Sequence, residues 1–315
     1  MARHHTIDVS PANPMALHEP GRLHPQQHIG RAGLASAFRW SILLNSSLSG
    51  LQLVIGIGFG SLALIGDAIH NLGDVAGLAL GWGAERLSTR PPSDRFTYGF
   101  GRSTQLAALI NGVLVAMASA VVVVEALQRL QEPQPLVSGP VAWAAAAGIL
   151  VNLGSASLFG HGGHGDTPGH QHDLNRRAAT LHLISDALVS AAVLVSALLV
   201  GATGWHWLDP LTAIGVGLAV GYTGVVLIRD ALVVLLDGIP SHIKPEQVRE
   251  TLLAIPGVVD VHHVHIWSLS TSQVALTAHL CRKGDLVNDL DLLHHAKRAL
   301  ATIGVEHSTL QLEPG

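Results

Sequence analysis

Residues 61–83 read SLALIGDAIHNLGDVAGLALGWG. The stretch is apolar and long enough to cross about 30 Å of hydrocarbon, yet it carries Asp67, His70 and Asp74. A second apolar stretch, LHLISDALVSAAVLVSALLV at 181–200, carries His182 and Asp186. In both, the histidine and the aspartate are four residues apart, a spacing that puts two side chains on one face of a helix. An acid at the centre of a membrane helix costs about 2.5–3.5 kcal/mol on insertion scales and marks an ion or proton path more often than not. One such pair is explained equally well by an interhelical hydrogen bond. Two matching pairs on separate helices point to a shared site.

The rest of the chain agrees with a membrane protein. Its 315 residues have a mean hydropathy of +0.40, and only 13% are charged, against about 25% in soluble domains. Six stretches have spanning length: 38–60, 61–86, 105–129, 140–160, 177–201 and 208–232. With the N-terminus inside, Arg86, Arg90, Arg95, Arg102, Arg176, Arg177 and Arg229 fall on the inner side, and Arg129 alone on the outer connections. That asymmetry places both termini in the cytoplasm. Compact loops and small size fit the inner (plasma) membrane of a bacterium. The formal charge of −4 gives no case for nucleic-acid binding, and a single cysteine, Cys281, excludes a disulfide framework. Residues 1–36 are rich in Pro, His and Gly, lack the apolar core of a signal peptide, and read as a disordered cytoplasmic tail.

From residue 237 to 315 the texture changes to helix, strand, strand, helix, strand, which suits a small cytoplasmic α+β domain with its helices on one face of a sheet. The expected organisation is therefore tail 1–36, an all-α six-helix transmembrane bundle 37–236, and the α+β domain 237–315.

If the faces carrying His70–Asp74 and His182–Asp186 meet, two imidazoles and two carboxylates surround one point. Such a set suits tetrahedral Zn²⁺, and its two negative charges neutralise one divalent ion. A closed four-ligand cage usually reads as structural, but a cage split between two helices can open to either side, which favours transport. Asp67 lies one turn from His70, and an ion relay or a bond to a neighbouring helix explains it equally well. Between the fourth and fifth spans, HGGHGDTPGHQHD (161–173) offers His161, His164, His170 and His172 as a loose metal-binding loop. In the soluble domain, strand alternation puts His263 and His265 on one face. With His279 and Glu313 on later strands, these converge on a second candidate metal site.

The segments GSLALIGDAIHNLGD (60–74), RFTYGFGR (95–102), the His-rich loop, HLISDALVS (182–190), LDPLTAIGVG (208–217) and HHVHIWSLS (262–270) together resemble the cation diffusion facilitator family, in its zinc-transporting branch. The resemblance implies a homodimer, a ferredoxin-like cytoplasmic domain, and Zn²⁺/H⁺ antiport out of the cytoplasm. It carries the transport-site role onto His70, Asp74, His182 and Asp186, and a cytoplasmic zinc role onto His265, His279 and Glu313. A histidine at position 70, where broader Zn/Cd carriers have Asp, implies the zinc-selective subgroup.

Three rival readings stand beside zinc efflux. A carrier of Co²⁺, Cd²⁺, Fe²⁺ or Mn²⁺ would use similar donors. An intramembrane zinc-dependent hydrolase would need an open metal position and a base; no HExxH is present and Asp67 is the only nearby acid. A membrane zinc sensor would bind metal without moving it.

Overall fold

The computed structural model describes residues 26–161, 170–270, 273–283 and 288–315, and Ser41–Gly315 make one compact unit. Six long helices come first: α1 (Gln26–Phe59), α2 (Leu62–Ser88), α3 (Ser103–Gln131), α4 (Ser138–His161), α5 (His170–Thr203) and α6 (Leu208–Leu235). Five of them are long and apolar enough to cross a membrane, and α2 is not among those five. The reason is local: α2 carries Asp67, His70, Asn71 and Asp74 within two turns. The helix bounds follow the apolar stretches to within a few residues, except that α1 begins at Gln26, well inside the expected tail, and α5 at His170, inside the expected His-rich loop.

The distal end of the bundle, away from the C-terminal domain, is tightly stitched. Gly60 turns the chain with φ +79° between α1 and α2, and its carbonyl accepts from Arg129 Nη1 at 3.0 Å. Ser61 caps α2, accepting from the Leu64 amide at 3.1 Å. Asp209, at the start of α6, completes that cap: it accepts from the Ser61 hydroxyl at 2.5 Å and the Leu62 amide at 2.7 Å. A buried carboxylate thus satisfies the otherwise unpaired N–H groups of a neighbouring helix. Around this cap lies a dry core of Leu62, Leu64, Val122, Val141, Val193, Ala197 and Val200. Nearer the C-terminal domain the described buried residues include Ala84, Ala107 and Ala231, and one small apolar cluster pairs Ala156 with Leu183.

Packing divides the helices into sets. α3 and α6 lie closest, because Gly112 and Gly224 face each other and a Cβ on Gly112 would stand 3.0 Å from the Gly224 carbonyl oxygen. Small residues of this kind let membrane helices approach. α2 packs on α3 and α6, α5 packs mainly on α4, and the α2–α5 seam is thinner than either.

The C-terminal domain runs α7 (Pro245–Leu253), β1 (Val258–Ser268), β2 (Val274–Arg282), α8 (Asp289–Thr302) and β3 (His307–Pro314). Its three strands are ordered β1-β2-β3, the first pair antiparallel and the second parallel. Both helices cover one face through Val248, Leu252, Leu292, Ala296 and Leu300, against Val261, Leu276, Ala278 and Leu280 of the sheet. The RFTYGFGR segment meets this domain. Arg102 pairs with Asp237, just after α6, and donates to the Ser268 carbonyl at 3.0 Å.

Candidate metal sites

The four residues expected in the membrane come together. His70 Nε2 stands 3.8 Å from Asp74 Oδ2 on its own helix and 3.3 Å from Asp186 Oδ1 on α5. His182 Nε2 stands 3.6 Å from Asp186 Oδ2 on its own helix and 3.2 Å from Asp74 Oδ2 on α2. Nitrogen and oxygen donors therefore alternate around a point between the helices. A tetrahedral Zn²⁺ with ligands at about 2.0–2.2 Å holds neighbouring donors about 3.3–3.6 Å apart; these four contacts bracket that edge, with the donor atoms of His70, Asp74 and Asp186 all within 4.8 Å of one another and His182 joined to them through Asp74 and Asp186. The Asp74 Oδ2 atom is buried and faces both imidazoles, His182 at 3.2 Å and His70 at 3.8 Å.

Exposure is graded along the seam. The side chains of Asp186 and His70 are 5% and 13% exposed, while Asp74 and His182 are 32% and 50% exposed. The second pair lies one turn nearer the C-terminal domain on both helices. The site therefore opens toward that end, and the dry distal core closes it on the other.

Asp67 is fully buried on the distal side of the site. It accepts from Ser190 Oγ of α5 at 2.8 Å, Gln52 Nε2 of α1 at 3.4 Å and Asn71 Nδ2 at 3.4 Å.

In the C-terminal domain the candidate cluster differs from the expected one. His279 Nδ1 lies 2.7 Å from Glu313 Oε1, and His262 Nε2 lies 3.2 Å from Glu313 Oε2. His262, His263 and His279 bring ligand atoms within 4.8 Å of one another. His265 is not in this cluster; it is exposed and pairs with Thr277. A β-bulge lies here: the register shifts between His262 and His265, and His263 takes φ +49°. A bulge adds one residue to one strand and breaks simple alternation, so His262 and not His263 pairs with His279, while His265 stands further along the strand opposite Thr277. The HH doublet was the sequence feature that carried this, but strict alternation hid it. Beside the cluster, Arg249 donates to Asp260 at 2.9 Å and holds its carboxyl below the usual carboxylate range. Asp260 faces Nδ1 of His262 at 3.6 Å, the position from which an outer carboxylate orients a metal-ligating imidazole. The side chains of His161, His164, His170 and His172 lie outside the described residues.

The sequence profile of the cation efflux transmembrane domain matches residues 39–236, and that of the cation efflux protein cytoplasmic domain matches 240–315. The chain belongs to the cation efflux (cation diffusion facilitator) family. It is 31% identical to the metal cation efflux system protein CzcD of Cupriavidus metallidurans, over 93% of this chain and 90% of the relative. It is 32% identical to the zinc transporter ZitB of Escherichia coli, over 92% and 91%. It is 31% identical to the cadmium, cobalt and zinc/H(+)-K(+) antiporter of Bacillus subtilis, over 84% and 86%. Among solved structures, the metal-bound C-terminal domain of the CzcD transporter is 30% identical, covering 22% of this chain and 99% of that one, with a TM-score of 0.22. These relatives are named as metal cation transporters and not as enzymes, so the hydrolase reading falls.

Proposed function

We propose that the chain is a Zn²⁺/H⁺ antiporter that moves zinc out of the cytoplasm by alternating access. The observation that carries this is the ring of four N···O contacts of 3.2–3.8 Å between two helices, sized for one tetrahedral Zn²⁺. All six helices cross the membrane, with the Asp67–Asp74 stretch of α2 turned into the bundle and Leu78 and Trp82 exposed further along it. Both termini are cytoplasmic, in a bacterial inner membrane, and the C-terminal domain, of the ferredoxin-like kind, dimerises two such chains. The 1–36, 37–236 and 237–315 divisions serve as tail, carrier and cytoplasmic domain.

In this arrangement the open end of the site faces the cytoplasm, and the structure corresponds to the state that loads zinc. The ligands bind metal only when deprotonated. Protons arriving from the outer side compete zinc off the two histidines and two aspartates, then return inward with the empty carrier. The two half-sites sit on helices packed into different sets, so a small shift along the thin α2–α5 seam re-exposes the cage without unfolding either helix. His262, His279 and Glu313 hold a cytoplasmic zinc, with His263 beside them. The His-rich loop hands metal to the carrier.

A second reading, a carrier of other divalent metals, is favoured by relatives named for cadmium and cobalt as well as zinc. The experiment that tests the antiport is zinc flux into proteoliposomes under an imposed pH gradient. Flux should rise when the zinc-receiving compartment is the more acidic one. Flux indifferent to the gradient contradicts proton coupling, and cadmium or cobalt outcompeting zinc favours the second reading.

A further inference from the structure

Asp67 is a buried acid that the four-ligand cage does not use. It lies one turn distal to His70 on α2, and its partner Ser190 lies one turn distal to Asp186 on α5. Asp67 and Ser190 therefore meet on the same seam as the cage, on its closed side. The carboxylate also accepts from Gln52 of α1, whose amide reaches the Ala144 carbonyl of α4 at 3.4 Å. Asp67 belongs to the set that Ser61 and Asp209 fasten to α6; Ser190 belongs to α5, which packs on α4. Asp67 thus ties α2 to α1 and α5 just beyond the cage, where α5 also packs on α6 and a shared apolar core begins.

The surroundings are shaped for this contact. Gln52 and Ser190 are fully buried. α4 carries Gly148 beside them, where a Cβ would fall 2.8 Å from Gln52 Nε2 and 2.9 Å from Ser190 Oγ. Immediately beyond, Val193 and Ala197 of the same α5 face enter the dry core. The Ser190–Asp67 contact thus lies across the seam, between the cage and this core. Separating them leaves a carboxylate without its donors, which is costly in an apolar core; water or the passing ion must then replace them.

We propose that Asp67 is the positioning residue of the distal gate, a hydrogen-bond latch to Ser190 and Gln52 that holds the cage closed on its outer side until the carrier turns. This rests on the transport reading above. The latch needs an acceptor at position 67 and not a charge: an Asn carbonyl accepts from Ser190 and Gln52 as well. A relay for ions would need the carboxylate itself.

The test uses the full-length protein in right-side-out membranes, with Cys281→Ser and a reporter, Val193→Cys. Val193 is 1% exposed, one turn beyond Ser190. A membrane-impermeant maleimide added outside reports how often the distal side opens. Ser190→Ala and Asp67→Ala should raise the labelling rate about three- to tenfold, the weight of one or two buried hydrogen bonds on a two-state equilibrium. Ser190→Thr and Asp67→Asn should stay within about twofold of the reporter background. Ser190→Ala carries the test alone if Asp67→Ala does not reach the membrane. Unchanged labelling in Ser190→Ala overturns the latch, as does Asp67→Asn labelling as fast as Asp67→Ala. Zinc flux in the same reporter protein separates the two ideas. Flux no greater than in its Asp74→Ala counterpart sinks the transport reading, whereas normal flux with unchanged labelling sinks the latch only.

Discussion

Nε2 of His70 stands 3.3 Å from Oδ1 of Asp186, across 116 residues of chain. Each residue also faces its own helix partner, His70 with Asp74 and Asp186 with His182. Every donor is thus shared between an intrahelical and an interhelical neighbour. That sharing makes the site sensitive to the relative position of α2 and α5, and it underlies the predictions that follow.

His182 is the most exposed of the four, at 50%, so its removal should disturb packing least and metal binding fully. His182→Ala is expected to leave the melting temperature in detergent within a few degrees of wild type. Its zinc affinity at the membrane site should fall by more than the roughly 10–100-fold typical of losing an outer-shell partner. Calorimetric zinc titration beside a thermal melt checks both halves.

Replacing His70 with Asp exchanges an imidazole nitrogen for an oxygen and adds a negative charge. Imidazole donors suit Zn²⁺, while a site richer in carboxylate accepts a wider range of divalent ions. His70→Asp should therefore raise the cadmium-to-zinc flux ratio while total flux persists. A competition assay with both metals present measures it; an unchanged ratio removes His70 from the account of selectivity.

The Ser61–Asp209 cap concerns stability and not chemistry. Ser61→Ala should cost about 0.5–2 kcal/mol, as loss of an N-cap does. Asp209→Ala should cost more, because it strands both the Ser61 hydroxyl and the Leu62 amide in a buried place. Thermal unfolding in detergent should rank wild type, Ser61→Ala and Asp209→Ala in that order. Zinc affinity of the folded fraction should not change.

In the C-terminal domain, His262→Ala and His279→Ala should each lower the number of tightly bound zinc ions in the full chain, and His265→Ala should not. Metal counting after gel filtration checks this. Loss with His265→Ala alone would restore the reading by simple alternation. Arg249→Ala should raise the Asp260 titration toward the ordinary carboxylate range, because the Arg249 hydrogen bond is the largest cause holding it down, with the Val261 amide and His262 still lowering it. Since the folded value is depressed, the Arg249 contribution is present above that range and is lost only as pH falls through the lowered value. It is therefore complete at neutral pH, and carbon-detected NMR titration of the carboxyl would follow it.

Much of this was legible in the chain because membrane physics narrows the choices. Spans of hydrocarbon length and the i, i+4 pairing of His70–Asp74 and His182–Asp186 placed the helices and the two halves of the cage. What stayed hidden depended on contacts between distant segments. Asp209 stands before a proline at the start of α6, and nothing in that local sequence tells that it caps α2. The partners of Asp67 come from α1 and α5, so its two readings stood level until the neighbours were known. His262 was missed for a local reason. The bulge at His263 shifts strand parity by one residue, and a period-two reading cannot detect it.

The central claim is that the cage between α2 and α5 is where transported zinc binds, and zinc flux in proteoliposomes tests it most directly. Wild-type protein should carry zinc, and Asp74→Ala and Asp186→Ala, reconstituted to equal density and equally folded, should carry none above protein-free vesicles. Flux at the wild-type rate in either variant would contradict the claim.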